Sequence, residues 1–206
     1  MNTTSIDRAA PLRGPAEHAV RDQIVRAAHD YFAHYGYDKT TVSDLAREIG
    51  FSKAYIYRFF ESKQAIGEAI CGATTEQLYA QVATAVGEGR SATDKMRRFA
   101  GSVTNAGISL LFNDRKLHEI AAHAARESWA PTHIYTAQLQ ALIESILKEG
   151  REAGEFERKT PLDETRRAIF TALLPFINPT FLERSLDTLP DAQIEVTNLI
   201  LRSLAP

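Results

Sequence analysis

The 206-residue chain has a single cysteine, Cys71, so no internal disulfide can form. With no CxxC pair and no dense Cys/His cluster, nothing signals a structural zinc site. Long apolar runs are missing too: no stretch approaches the roughly 18 uninterrupted apolar residues of a membrane span. The opening segment MNTTSIDRAAPLRGPAEH lacks the apolar core of a signal peptide, so a soluble, cytoplasmic protein is expected. Also lacking is any sustained two-residue alternation rich in Val, Ile and Thr, which argues against strands and against a glycine-rich loop following one. No Ser/His/Asp, Cys/His or paired-carboxylate arrangement assembles from local motifs, so no catalysis is expected. His118, His123 and His133 do not share one helical face and have no carboxylate motif beside them; they read as solvated or core residues, and no metal or cofactor is expected.

Strong net charge is absent as well, the balance being -2. That argues mildly against a nucleic-acid partner, because non-specific DNA affinity comes from Lys and Arg neutralising phosphates. The distribution softens the argument. Through Lys63 there are nine basic against eight acidic residues, so a slightly basic head precedes an acidic body.

What the chain does have is apolar spacing of three and four from end to end, the mark of an all-α protein. After an N-terminal arm (residues 1–15), Val20, Ile24, Ala27, Tyr31 and Tyr35 stripe a first helix from Ala16 to Tyr35, ended at Gly36. Thr41, with Asp44 as capping-box partner, opens a short second helix that stops at Gly50. Ser52 caps a third, Lys53 to Phe60, and Ser62 opens a long fourth. A break at Gly87–Arg90 precedes a fifth helix starting at Ser91, a sixth over Lys116–Ser128 and a seventh over Thr132–Ala153. An apolar eighth starts at Asp163, interrupted by Pro175 and by Asn178-Pro179, and Asp191 opens the last helix, through Leu204.

Thr41 to Phe60 has the plan of a helix-turn-helix, in which the first helix braces on the backbone and the second enters the major groove. Ile56 and Phe60, four apart, anchor the second helix and leave Lys53, Ala54, Tyr55, Tyr57 and Arg58 to its remaining surface. Spacing alone leaves open that this is a small aromatic helical hairpin within a core. The run GYDKTTVSDLAREIGFSKAYIYRFFESKQAIGEAI, Gly36 to Ile70, resembles the DNA-binding domain of the tetracycline-repressor (TetR) family. The resemblance implies a domain over residues 16–62, a ligand-binding and dimerisation body over 63–206, about nine helices, an Ω-shaped homodimer and a palindromic operator. It further implies that Thr41 and Ser43 contact phosphates, that Lys53, Ala54 and Tyr55 touch bases, and that Tyr57 and Lys63 hold the backbone. Phe59 departs from the polar residue usual there, so Arg58 is a candidate replacement contact.

The body supplies more apolar surface than the head needs. Most of it is expected to be core and dimer interface, and the resemblance implies that part of it lines a cavity for a small, largely apolar effector between helices five, seven and eight. Candidate walls are Phe99, Val103, Trp129, Tyr135, Phe170 and Leu174, with Asn105 and His123 as polar anchors. The last two helices are the expected dimer interface, through Phe170, Leu173, Ile194 and Leu201. The expected activity is that of a repressor released from DNA when the effector moves helix four. The alternatives are a DNA-binding protein without an effector and a helical enzyme.

Overall fold

The computed structural model describes residues 15–206, in which ten α-helices and one short 3-10 turn are the only regular elements. Apart from Pro15, the expected N-terminal arm lies outside the described residues. The order is α1 (Pro15–Tyr35), α2 (Val42–Glu48), α3 (Lys53–Ile56), α4 (Lys63–Gly87), α5 (Ala92–Asn113), α6 (Arg115–Arg126), α7 (Ala130–Glu152), α8 (Leu162–Ile177), α9 (Pro179–Arg184) and α10 (Asp191–Ser203). None of these helices is long and apolar enough to cross a membrane.

The helix starts follow local chemistry. Thr41 closes a full capping box with Asp44, and Ser52, Ser62 and Ser91 each accept a hydrogen bond from the third residue beyond them. At Gly50 the chain turns with φ +71°, a left-handed conformation suited to glycine, and Phe51 N–H closes back on the Ala46 carbonyl at 2.9 Å. The short α9 is additional to the expected helices, and two boundaries differ from expectation by more than a residue or two. The third helix is one turn long: beyond Ile56 the N–H groups of Arg58 and Phe59 bond three residues back, a tighter winding. Helix α8 continues through Pro175 to Ile177, because Pro175 and Thr171, the residue whose carbonyl loses its partner, both stand on the exposed side.

Two buried clusters organise the packing. In the first, Ile24 and Phe32 of α1, Val42 and Leu45 of α2, Ile56, Phe60, and Ile66 and Ile70 of α4 pack with Leu117, Ile120 and Ala124 of α6 and with Trp129. The second joins Val82 and Val86 of α4 to Met96, Phe99 and Val103 of α5, Ile143 and Ile146 of α7, Ile169 and Leu173 of α8, and Ile200 of α10. The core therefore does not divide where the chain passes from residue 62 to 63. Helix α4 serves both clusters, and α6 is packed into the head's.

Candidate DNA-reading head and effector cavity

Ile56 is fully buried and Phe60 nearly so, and they pin the recognition segment as the spacing requires. Lys53, Ala54, Tyr57 and Arg58 are left exposed, and Tyr55 half-buried. Tyr55 is held edge-on between Phe51 and Phe59, at 5.0 and 5.4 Å between ring centres, with the Arg58 guanidinium 5.5 Å from its ring. Phe59 thus props Tyr55 instead of presenting a polar group outward. Lys53 Nζ lies 5.8 Å from the Tyr57 ring, so these two share one side of the segment.

Two other head residues have inward duties. The Thr41 hydroxyl donates to Asp44 Oδ2 at 2.7 Å, and its backbone N–H bonds the same oxygen at 3.1 Å. A phosphate would have to displace that carboxylate, so Thr41 is a cap, while Ser43 beside it is exposed. Lys63 Nζ donates to the carbonyls of Tyr37 at 2.8 Å and Thr40 at 3.1 Å and sits 4.2 Å from the Tyr37 ring centre. This ties α4 to the α1–α2 loop and leaves one N–H for another partner. Burial lowers the Lys63 pKa, an effect Asp38 opposes.

In the body, five helices leave a cavity of about 230 Å³. Each contributes a stripe at three-and-four spacing: Cys71, Thr75 and Leu78 from α4; Val103, Gly107 and Leu110 from α5; His118, Ala121 and Ala125 from α6; Thr132, Tyr135 and Thr136 from α7; Phe170, Leu174 and Ile177 from α8. Ser128 and His133 complete the rim near α7, and Asn178 and Pro179 the end near α9. The lining includes no Lys, Arg, Asp or Glu. Burial pushes the Cys71 thiol up to about 11 and the Tyr135 phenol to about 12, keeping both protonated and neutral.

Of the expected walls, Val103, Tyr135, Phe170 and Leu174 line this cavity; the other four candidates do not. Phe99 faces the other way, into the body core. Asn105 projects to solvent, because α5 turns Val103 and Gly107 inward. His123 and Trp129 belong to the head junction, where each packs against Tyr37, at 5.1 and 5.4 Å between ring centres. His123 Nδ1 also approaches Asp38 at 3.6 Å. The buried polar group that does line the cavity is His118, whose Nε2 has no hydrogen-bond partner. Sequence reasoning missed it by asking only whether the histidines share a face with one another. The available signal was His118, Ala121 and Ala125, two small residues in register with one imidazole.

The dimer candidates also separate. Leu173 is buried in the core, Phe170 faces the cavity and Leu201 packs partly against the core. Ile194 is exposed, with Leu199 further along the same helix, and α8 exposes the small residues Ala168, Thr171 and Ala172.

A capped helix-turn-helix carried by one long helix into a hollow helical body defines a DNA-binding transcriptional regulator. Residues 24–70 match the model of bacterial regulatory proteins of the tetR family, and residues 92–196 that of the tetracyclin repressor-like C-terminal domain. The chain belongs to the TetR family. An HTH-type transcriptional repressor of Mycobacterium tuberculosis is 42% identical over 62 residues, 30% of this chain and only a third (33%) of that protein's length. The HTH-type transcriptional regulator BetI of Cronobacter sakazakii is 27% identical over 195 residues, 90% of this chain and 91% of its own. Among solved structures, the regulator FadR of Bacillus subtilis in complex with stearoyl-CoA superposes with a TM-score of 0.61 at 22% identity, covering 89% of this chain and 97% of that one.

Proposed function

We infer that the protein is a homodimeric, cytoplasmic repressor of transcription that is released from a palindromic operator when a small, largely apolar effector fills the body cavity. One observation carries this reading: the cavity residues Cys71, Thr75 and Leu78 and the head's tether Lys63 stand on the same helix, α4. A molecule that moves the cavity wall moves the lever of the head. That a like-folded regulator, FadR, was solved with stearoyl-CoA supports a ligand role for the body.

On this reading Lys53, Ala54 and Tyr55 address base edges, and Ser43, Tyr57, Arg58 and the remaining N–H of Lys63 address phosphates. Selection from a random duplex library is expected to return an inverted repeat. Lys53→Ala then costs about 1–3 kcal/mol and relaxes preference at one base pair per half-site. Enriched sequences without dyad symmetry, or an unchanged preference in Lys53→Ala, would refute the assignment. Effector release is tested by reciprocity. A ligand that weakens operator binding, by about 1–3 kcal/mol in typical cases, must itself be weakened by saturating operator to the same factor. Equal ligand affinity with and without operator would favour instead a DNA-binding protein that has no effector.

A further inference from the structure

We propose that the effector enters the body cavity through a mouth at the α6–α7 turn, and that His133 is the gate residue that sets how fast it exchanges; this rests on the reading of the cavity as the effector site. Exposure is the first argument. Of the described residues that line the cavity, only Ser128 and His133 are exposed, so it is at these two that the lining reaches the surface. They are also joined. The His133 ring, in the first turn of α7, reaches back so that Nε2–H donates to the Ser128 carbonyl at 3.2 Å. One side-chain hydrogen bond therefore spans the rim.

Strain is the second argument. Ser128 has φ +55°, a left-handed conformation that glycine adopts freely and serine does not. A residue keeps such a conformation only while its surroundings hold it. Here Glu127 N–H closes on the His123 carbonyl at 2.9 Å, Trp129 N–H closes on that of Ala124 at 3.0 Å, and His133 holds the Ser128 carbonyl. The first two bonds finish α6 from within the backbone. The third is made by an exposed side chain, where water competes for both partners, so it yields first. With it broken, Ser128 relaxes and the rim widens, which makes the turn a two-state element, latched or open. The competing route lies across the cavity. Leu78 of α4 and Leu110 of α5 line both the cavity and an outer groove of about 490 Å³ between α1, α4 and α5. Passage there would part α4 from α5, two helices packed along one another, whereas the α6–α7 turn opens without separating a helix pair.

The test uses the full-length protein and one uncharged probe, 6,6,6-trifluorohexan-1-ol, its exchange followed by fluorine NMR. A gate serves entry and exit alike, so removing its latch scales both rates by one factor and leaves Kd where it was. In His133→Ala the association and dissociation rates are expected to rise together by up to about tenfold, the scale of one net hydrogen bond. His133→Gln, which keeps an N–H for the Ser128 carbonyl, should return both rates towards the wild-type values. Leu78→Ala and Leu110→Ala, which trim the opposite wall, should alter dissociation and Kd but not association. The proposal is overturned if association is unchanged in His133→Ala, whether or not Kd moves, or if it quickens as much in either leucine variant, which would put the passage on the groove side. In those cases the alcohol still binds and the effector reading stands. If the wild type takes up no alcohol, the proposal falls together with that reading.

Discussion

At the scale of single residues, two buried titratable groups on the body side of α4 behave differently. Cys71 is held protonated by burial, pushed up to about 11, and so stays a weak nucleophile. His118 is displaced the other way. Burial holds its folded-state pKa below the ordinary 6.5, opposed in part by the Glu183 and Glu119 charges and by the Pro179 carbonyl, with Arg115 adding to the lowering. The unfolded chain therefore takes up the proton first as pH falls. Stability contributed by the neutral ring is whole above the unfolded value and is lost as pH drops from there towards the folded one. Denaturant midpoints at about pH 7.5 and about pH 5.5 should show a loss in the wild type that shrinks in His118→Leu. An equal loss in both would mean that His118 is not the acid-sensitive group. The same substitution removes a buried atom that lacks a partner, so it should not lower stability at the higher pH.

Elements are the scale at which head and body meet. The α6–α7 turn passes the cavity at Ser128, which has φ +55°, and immediately buries Trp129 beneath α4. At Gly67 a Cβ would stand 2.7 Å from the Trp129 ring and 2.9 Å from that of Tyr37, so only glycine lets α4 approach so closely. Gly67→Ala gains about 1 kcal/mol of helix propensity but overpacks at a cost of about 1–3 kcal/mol, for a net destabilisation near 1 kcal/mol. Trp129 is the only tryptophan, so its emission reports this contact directly. In Gly67→Ala the emission should move to the red; an unchanged spectrum and midpoint would mean that the contact is slack. This junction also marks the limit of legibility in the sequence. The Thr41 capping box, the serine caps, the Gly50 turn and the Ile56/Phe60 anchors were readable because each is settled within a few residues. Whether Trp129 and His123 face a cavity or the head, and whether Asn105 points in or out, depends on which side of α5 and α6 each neighbouring helix covers. Three-and-four spacing places residues on a common face without saying what that face meets.

At the scale of the whole molecule, one chain presents a single recognition segment, and a palindromic site requires two. The faces left for pairing are the small-residue side of α8, at Ala168, Thr171 and Ala172, and the exposed apolar residues of α10, Ile194 and Leu199. Small side chains allow helices to approach at the short end of the usual 8–10 Å range, and a two-fold axis through this patch would bring the four helices of two protomers together. Leu199 is 61% exposed, so Leu199→Glu alters the patch without touching the core. The variant should keep its thermal midpoint at the monomer level while sedimenting at half the wild-type mass, because two like charges then face each other across the axis. The DNA consequence follows from linkage between the heads. In a dimer the second half-site is met at high effective concentration, an advantage of about 10²–10⁴-fold that needs no added contact. Leu199→Glu should lose that factor on an inverted repeat with centres about 34 Å apart, yet bind a single half-site as the wild type does. A variant that remains dimeric with full operator affinity would place the interface elsewhere. One that loses half-site affinity as well would show that the substitution had reached the head through the fold and not through the pairing of its copies.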